Sequence, residues 1–205
     1  MKVKVYNKNV SDISLPDVYP LLSAERQADI DRKAFEKDRR LSAGAGLLMA
    51  RAFKDAGIAE ARPAMEKGPY GKPCLRDYRE IYFNLSHSGE YVFLAVSDAE
   101  VGCDVEEITQ ASGLDSRMSV AKRFFTKNEA EAIENQPDPS SGNELFYKIW
   151  TMKESFIKAK GGGLSIPLDS FDVLTGEGTE GAVFETYDIA PGYVFTSCIL
   201  QNGQE

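Results

Sequence analysis

The spacing of apolar and polar residues predicts a chain in which strands and helices follow one another in blocks. Residues 1–6 alternate between the two kinds of side chain, as expected of a strand. Ser23 is suited to cap the first helix. The next helix, which stops at Gly57, has apolar residues at helical spacing. These residues are Leu41, Ala45, Leu48 and Ala52.

Strands dominate the middle of the chain. Residues 68–73 are rich in glycine and proline and predict a structured loop. Strands are predicted at residues 81–85 and 91–97, joined by a turn at residues 86–89. A third strand follows at residues 101–106.

The second part of the chain has a similar layout. Helical periodicity returns from residue 115, and Thr126 and Glu129 have the spacing of a capping box. A longer helix is predicted at residues 143–160, where a run of three glycines ends it. Closing strands are predicted at residues 171–174, 183–187 and 194–200. This order predicts an α+β chain of two halves, residues 1–98 and 99–205.

Composition narrows the class of protein. With 205 residues, 42% hydrophobic and 27% charged, the chain has the composition of a globular protein. Its net charge of −8 disfavours nucleic-acid binding by the surface as a whole. No apolar run suits a membrane span, and the first residues lack the apolar core of a signal peptide. Three widely spaced cysteines without a CxxC pair predict a reducing, cytoplasmic location.

Two carboxylates share one face of the strand predicted at residues 101–106. Gly102, Asp104 and Glu106 point to one side because side chains alternate along a strand. Carboxylates this close repel each other unless a cation lies between them. The alternative is the solvent-facing polar side of an edge strand, and this segment alone leaves both interpretations open.

The helix predicted at residues 143–160 supplies a third carboxylate. Trp150, Glu154 and Lys158 form one row on this helix, beside Lys153. Three carboxylates suit Mg²⁺, which prefers hard oxygen ligands, and neighbouring lysines would bind phosphate. A Glu–Lys pair at i, i+4 is also common on an ordinary exposed helix, so that interpretation stays open.

Two further segments have features of an anion-binding site. His87, the only histidine, lies between two serines and could bind an anion together with Ser86. A Ser/His nucleophile pair and an ordinary turn histidine are the alternatives. The segment of residues 71–73 lacks the spacing of a P-loop, but its glycine permits close approach to a flat or anionic ligand.

Five motifs, taken in order, resemble the 4′-phosphopantetheinyl transferases of the longer, surfactin-synthetase-activating type. They are residues 71–73 (GKP), 83–88 (FNLSHS), 102–106 (GCDVE), 124–129 (FFTKNE) and 150–156 (WTMKESF). The resemblance implies a monomer of two pseudo-symmetric α/β halves with the active site at their junction.

The resemblance also implies an activity. Such an enzyme transfers the 4′-phosphopantetheine arm of coenzyme A to a serine of an apo acyl or peptidyl carrier protein and releases adenosine 3′,5′-bisphosphate. The implied ligands of Mg²⁺ or Mn²⁺ on the pyrophosphate are Asp104, Glu106 and Glu154. The implied coenzyme A contacts are Arg26, Arg40, Gly71, Lys72, Pro73, Ser86, His87, Lys153 and Lys158. The 3′-phosphate is assigned to His87, Arg40 and Arg26, and the adenine pocket to residues 71–73.

Residues with a chemical role follow from the same resemblance. Phosphoryl-type transfer depends mainly on positioning of the reactants and on neutralisation of their charge. Lys158 would assist the leaving group. The base is either Glu129 or Glu154 acting through a water on the metal. For Glu129, its place in the capping box is the structural alternative.

The partner implied is acidic, as this chain is, so that docking needs a local basic patch. The predicted patch is Lys122, Arg123, Phe124 and Phe125. A helix with buried phenylalanines and solvated charges is the alternative. Two rival functions are a non-catalytic coenzyme A-binding module and a metal-dependent phosphohydrolase.

Two positions depart from the family pattern. Asp29 stands where some relatives carry a second lysine, which predicts weaker binding of the 3′-phosphate. Cys103 replaces a branched aliphatic residue and is expected to face the core as a small apolar side chain.

Overall fold

The computed structural model describes residues 2–60, 63–68, 70–109 and 113–201. Helices and antiparallel sheets are both present, which confirms the predicted α+β class. None of the described helices is long and apolar enough to cross a bilayer.

The first part of the chain folds around a three-stranded antiparallel sheet. Its strands are β1 (Lys4–Asn9), β4 (Tyr82–Ser88) and β5 (Tyr91–Ser97), in the order β1-β5-β4. The helices are α1 (Leu15–Val18), α2 (Ala24–Asp31) and α3 (Glu36–Asp55). A small hairpin consists of β2 (Met65–Lys67) and β3 (Pro73–Leu75). The apolar stripe of α3 packs on the sheet, and Leu41, Ala45, Leu48 and Ala52 are all buried as predicted.

A second three-stranded antiparallel sheet follows. Its strands are β6 (Val101–Glu107), β7 (Ala182–Tyr187) and β8 (Tyr193–Leu200), in the order β6-β8-β7. The helices are α4 (Gly113–Phe124), α5 (Lys127–Glu134) and α6 (Pro139–Lys160). Val101, Cys103 and Val105 face a buried apolar cluster, which confirms the predicted alternation of β6 and the inward position of Cys103.

Local signals set the ends of the helices as predicted. The Ser23 side chain caps α2 by accepting from Arg26 N, and Thr126 and Glu129 form a complete capping box on α5. Gly161 ends α6 in the left-handed conformation, at φ 70°. The start of α6 was predicted four residues too late, because Asp138 accepts the amides of Ser140 and Ser141 and begins the helix there.

Two predictions of local structure are wrong, and one pair of strands was missed. Residues 86–88 continue β4 rather than forming a turn, which is confined to Gly89 and Glu90. The loop predicted before Pro73 is present at residues 68 and 70–72, but the short strands β2 and β3 that flank it were not predicted. Residues 171–174 form no strand, because the Asp172 carboxylate accepts the amides of Leu174 and Thr175 and closes a turn.

Helix α6 lies unusually close to β6 at Gly102. A Cβ atom at this position would lie 1.9 Å from Ser155 O and 2.4 Å from Ala159 N. No other residue therefore fits without moving the helix. This close approach brings the last turns of α6 against the face of β6 that carries Asp104.

The two sheets meet through β4 and β6. The Asn84 side chain accepts a hydrogen bond from Cys103 N at 2.9 Å, so that β4 lies along β6 without a regular ladder. Lys72 joins the parts at one end by donating to Glu100 (2.7 Å) and to Ala159 O (3.0 Å). The junction is lined by polar side chains of β4, β6 and α6.

Candidate active site at the junction of the two sheets

Two serines of β4 face the two carboxylates of β6. Ser86 Oγ donates to Asp104 Oδ1 at 2.7 Å, and Ser88 Oγ donates to Glu106 Oε2 at 2.8 Å. The pairing follows from the alternation of both strands, which directs every second side chain into the junction. The predicted carboxylate face of β6 is therefore not a solvent-facing edge, since Asp104 is only 3% exposed.

Lys158 brings α6 into the same cluster. Its Nζ lies 2.6 Å from Asp104 Oδ1 and donates to Ser86 Oγ at 3.1 Å. The lysine thus pairs across the junction, and not with Glu154 on its own helix as the ordinary helical interpretation required. The second oxygen of Asp104, Oδ2, is buried and has no hydrogen-bond partner. An unpaired buried carboxylate oxygen is costly, and it marks a place for a donor or a cation.

The carboxyl groups influence one another electrostatically. Burial, and then the negative charge of Asp104, raises the pKa of Glu106, and the same two causes in the same order raise the pKa of Glu154. For Lys158, burial would lower the pKa, but the charge and hydrogen bond of Asp104 outweigh it and raise the pKa. The junction therefore combines three acidic groups in mutual repulsion with one firmly protonated lysine.

The carboxylates of this cluster are suitable metal ligands, but they are not arranged around a common point. Among the described residues, no group of three or more His, Cys, Asp or Glu side chains stands ready to hold a metal ion. Asp104 instead uses one oxygen on Lys158 and leaves the other unpartnered. Carboxylate oxygens are the donors that Mg²⁺ prefers, so the donor set suits that ion once the Lys158 ammonium moves aside.

Lys153 does not belong to this cluster, which contradicts the prediction that it contacts a phosphate. Its side chain is 0% exposed and forms an ion pair of 2.7 Å with Glu129, which is also 0% exposed. The ammonium also donates to the carbonyl groups of Leu168 (2.7 Å) and Phe171 (2.6 Å). All three of its protons are used within the protein, so none is left for a ligand.

The same burial contradicts the prediction that Glu129 is the base. Its carboxylate accepts from Thr126 N, from Val173 N and from Lys153. No substrate hydroxyl can reach a side chain with no exposed surface. The structural alternative for Glu129, the capping box, is the one that the structure confirms.

The basic residues predicted for the nucleotide have different surroundings in the protein. His87 lies on β4 with an exposed side chain. Arg40 pairs with Glu36 and donates to Ser11 O, while its Nε is buried and without a partner. Arg26 lies elsewhere, at a cavity of about 590 Å³ between α2, α3 and the start of β2.

Asp29 reaches Arg26 in that second location. The Asp29 carboxylate accepts from Ser42 at 2.7 Å and lies 3.9 Å from Arg26, which in turn donates to Ser42 at 3.3 Å. The hydrogen bond from Ser42 is the main cause that lowers the pKa of Asp29, so the carboxylate is charged. Part of the positive charge of Arg26 is therefore compensated inside the protein.

A cavity of about 450 Å³ lies at the junction, bordered by Gly68 and Tyr70. Lys72 and Pro73, two of the three residues assigned to the adenine pocket, line it, whereas Gly71 is not among the lining residues. Glu100 and Lys160 of the second part also line it, and the sequence did not single them out.

The predicted docking patch is only partly exposed. Phe124 is 42% exposed, and the Arg123 guanidinium lies 5.0 Å from the centre of its ring. Phe125 is 4% exposed and stacks on Phe146 in the core, so its inclusion in the patch is wrong. Lys122 forms a surface ion pair with Glu134.

Ser88 is the residue of the carboxylate cluster that sequence reasoning missed. It holds Glu106 and also accepts from Glu107 N at 3.1 Å. The period of two that starts at Asn84 and continues through Ser86 points to it. The signal was lost because the predicted strand ended at residue 85.

Comparison with protein families finds matches along almost the whole described chain. Residues 11–99 match the N-terminal part of 4′-phosphopantetheinyl transferases, and residues 100–199 match the 4′-phosphopantetheinyl transferase superfamily. The boundary between the two matches falls in the turn between β5 and β6.

Individual curated relatives carry the same family name. The chain is 39% identical over 140 residues to the 4′-phosphopantetheinyl transferase ffp of Bacillus subtilis and 37% identical over 139 residues to the 4′-phosphopantetheinyl transferase Sfp of Bacillus subtilis (strain 168). Each alignment covers 63% of this chain and only 59% of the relative. A further 4′-phosphopantetheinyl transferase of Bacillus subtilis is 32% identical over 188 residues, which are 86% of this chain and 81% of the relative.

Proposed function

Because the chain belongs to the 4′-phosphopantetheinyl transferase superfamily, we propose that it transfers the phosphopantetheine arm of coenzyme A to a carrier protein. In this reaction a serine hydroxyl of the carrier attacks the phosphorus that bears the arm. The new serine O–P bond forms as the bond to adenosine 3′,5′-bisphosphate breaks, and the serine proton leaves.

A single observation carries the proposal: the cluster of Ser86, Asp104 and Lys158 at the junction of two sheets. It joins an anion-neutralising lysine to a buried carboxylate with a free oxygen. A pyrophosphate needs both a cation and hydrogen-bond donors, and phosphoryl transfer depends mainly on such positioning.

Asp104, Glu106 and Glu154 are the residues proposed to hold Mg²⁺. When bound, the ion would neutralise charge on the pyrophosphate. Burial is the main cause of the raised pKa values of Glu106 and Glu154, and the repulsion from Asp104 that adds to it would be relieved by a cation. Lys158, released from Asp104, would then stabilise negative charge on the leaving group.

Coenzyme A is proposed to lie along β4. The cavity beside Lys72 and Pro73 would take the adenine ring, and exposed His87 would meet a phosphate group. The Arg40 side chain is 32% exposed, and its guanidinium would bind the same phosphate. Arg26 is the weaker candidate because Asp29 already compensates its charge.

Glu154 is proposed as the base that takes the proton of the acceptor serine. Of the two predicted bases, only Glu154 is partly exposed and next to the cluster, whereas Glu129 is sealed in the interior.

The carrier protein is proposed to dock at Arg123 and Phe124, at the end of α4. An exposed ring beside a guanidinium offers apolar area and a positive charge to an acidic partner. Phe124→Ala should raise KM for the carrier and leave KM for coenzyme A unchanged. An equal change in both constants would place the carrier elsewhere.

The decisive assay combines the full chain with coenzyme A, Mg²⁺ and an apo carrier protein, followed by intact-protein mass spectrometry. We expect the carrier to gain one phosphopantetheine arm, and Glu154→Gln to abolish the gain with an unchanged circular dichroism spectrum. Lys148→Met, an exposed substitution on the same helix, is the matched control and should keep activity.

Each other outcome identifies a rival function. Hydrolysis of coenzyme A without a change in carrier mass would indicate a phosphohydrolase. Binding of intact coenzyme A without either reaction would indicate a binding module. Full transfer by Glu154→Gln would exclude Glu154 as both metal ligand and base.

A further inference from the structure

The most completely bonded ion pair in the described chain lies next to the proposed site but takes no part in it. Lys153 and Glu129 are both 0% exposed, with their charged atoms 2.7 Å apart. Such a pair is expensive to bury, and it is often replaceable by apolar residues without loss of stability. Lys153 directly precedes Glu154 in the chain. The presence of the buried pair at this position therefore calls for a reason other than stability.

The bonds of this pair join three separate segments. Lys153 comes from α6 and donates to Leu168 O and Phe171 O of the segment that follows the helix. Glu129 comes from α5 and accepts from Val173 N at 2.9 Å. Hydrogen bonds to charged groups are directional as well as strong, so the position of the ammonium is fixed in all directions.

The rings around the ammonium close the same pocket. The Lys153 Nζ lies 4.3 Å from the centre of the Phe171 ring and 5.6 Å from that of Phe125. Both rings are buried, and contact with their faces stabilises a cation. A shift of the Lys153 ammonium within this pocket would break at least one of its bonds to Glu129, Leu168 O and Phe171 O.

The opposite side of α6 is held by the sheet. Thr151 Oγ1 and Thr196 Oγ1 share a hydrogen bond of 2.9 Å, and Gly102 lies against the backbone at Ser155. With roughly 100° between successive residues, Lys153 lies nearly opposite Thr151 and Ser155 on the helix. Glu154 then projects sideways, about 100° from Lys153 and about 100° from Ser155.

We propose that Lys153 and Glu129 are positioning residues that fix the rotation of α6 about its axis, so that Glu154 stays on the side of the helix from which Lys158 reaches Asp104. The sheet holds one side of the helix and the buried pair holds the other. An apolar pair would fill the same space but would permit small rotations, because apolar contacts are not directional. This inference rests on the proposed function, since it assigns Glu154 to the metal site.

The test compares wild type with the double variant Lys153→Met/Glu129→Gln, which removes both charges at similar volume. We expect the variant to fold, because no unpaired charge remains. Misplacement of Glu154 should lower kcat by about 10- to 100-fold and weaken Mn²⁺ binding by about 10-fold, as loss of a supporting shell does. Mn²⁺ binding is measured directly by electron paramagnetic resonance, and KM for coenzyme A should not change.

Two controls separate positioning from general loss of stability. Leu48→Ala truncates the core of the first part and should lower the melting temperature without a change in Mn²⁺ affinity. Lys148→Met removes a charge from the exposed side of α6 and should change neither quantity.

The outcomes for the two proposals are distinct. If wild type modifies the carrier and the folded double variant keeps wild-type kcat and Mn²⁺ affinity, the pair is structural only and the positioning inference is wrong. If wild type itself fails to modify any carrier, the proposed function fails. In that case a double variant with unchanged Mn²⁺ affinity would still overturn the positioning inference.

Discussion

Helix α6 carries two lysine–carboxylate pairs that differ in almost every physical respect. The pair of Lys153 and Glu129 is sealed, with both side chains 0% exposed and each ammonium proton bonded. The pair of Lys158 and Asp104 is open, with 28% of the lysine side chain exposed and one carboxylate oxygen unpartnered. We call them the sealed pair and the open pair.

The difference shows what each pair can do. In the sealed pair every ammonium proton already has a hydrogen-bond partner, so the pair can orient the backbone but cannot bind a ligand. An open pair keeps a free oxygen and an ammonium that can move, which suits exchange with a metal and a phosphate. Two lysines five positions apart on one helix therefore belong to different functions.

The largest expected effect comes from breaking the sealed pair on one side only. Lys153→Met leaves the Glu129 carboxylate charged, buried and unpaired, which should lower the free energy of unfolding by about 3–5 kcal/mol. Urea denaturation of the variant and of wild type measures the difference. A loss no greater than that of Lys148→Met would mean that the sealed pair does not hold the helix.

Breaking the open pair should affect catalysis more than stability. Lys158→Met removes the cation proposed for the leaving group, so the transfer rate should fall by about 10²-fold. The loss of stability should be smaller than for Lys153→Met, because Asp104 keeps the hydrogen bond of Ser86. Addition of Mg²⁺ should raise the melting temperature of the variant. Steady-state transfer rates and thermal melts test this, and unchanged turnover would remove Lys158 from the mechanism.

Gly102→Ala should disturb the open pair and spare the sealed pair. The new Cβ would overlap Ser155 O and Ala159 N, so α6 has to move away from β6. Overpacking of this kind costs about 1–3 kcal/mol of stability. Mn²⁺ affinity should fall as Glu154 and Lys158 move away from Asp104. Wild-type Mn²⁺ affinity in the folded variant would show that the close approach is not needed.

The effect with the narrowest scope concerns acid stability near the sealed pair. Burial would raise the pKa of Asp172, but hydrogen bonds from Thr126, Thr175 N, Asn128 and Leu174 N outweigh it and lower the pKa to about 2. A depressed pKa stabilises the fold above the unfolded value of about 4, and the contribution is lost as pH falls towards 2. It amounts to about 2 kcal/mol.

Asp172→Asn should remove that contribution. The gap in unfolding free energy between wild type and variant should be full at pH 6 and shrink as pH falls below 4. Urea denaturation at several pH values measures it. A gap that is the same at pH 6 and pH 3 would show that the charge of Asp172 is not responsible.

Periodicity alone placed part of the candidate site. The period of two put Asp104 and Glu106 on one face of a strand, and the capping box of Thr126 and Glu129 located the start of α5. These features depend only on residues close together in sequence. The position of β4 opposite β6 was not predictable in this way, and neither was the continuation of β4 to Ser88.

The sequence by itself determined the α+β order of elements, the chemistry of the carboxylate face and the family to which the chain belongs. Only the tertiary structure decided which charges are available. Lys153 and Lys158 carry the same ionisable group on the same helix. Lys153 nevertheless belongs to the sealed pair and Lys158 to the open pair. The reason is that burial and hydrogen bonding depend on the segments packed around α6, and those segments come from distant parts of the chain.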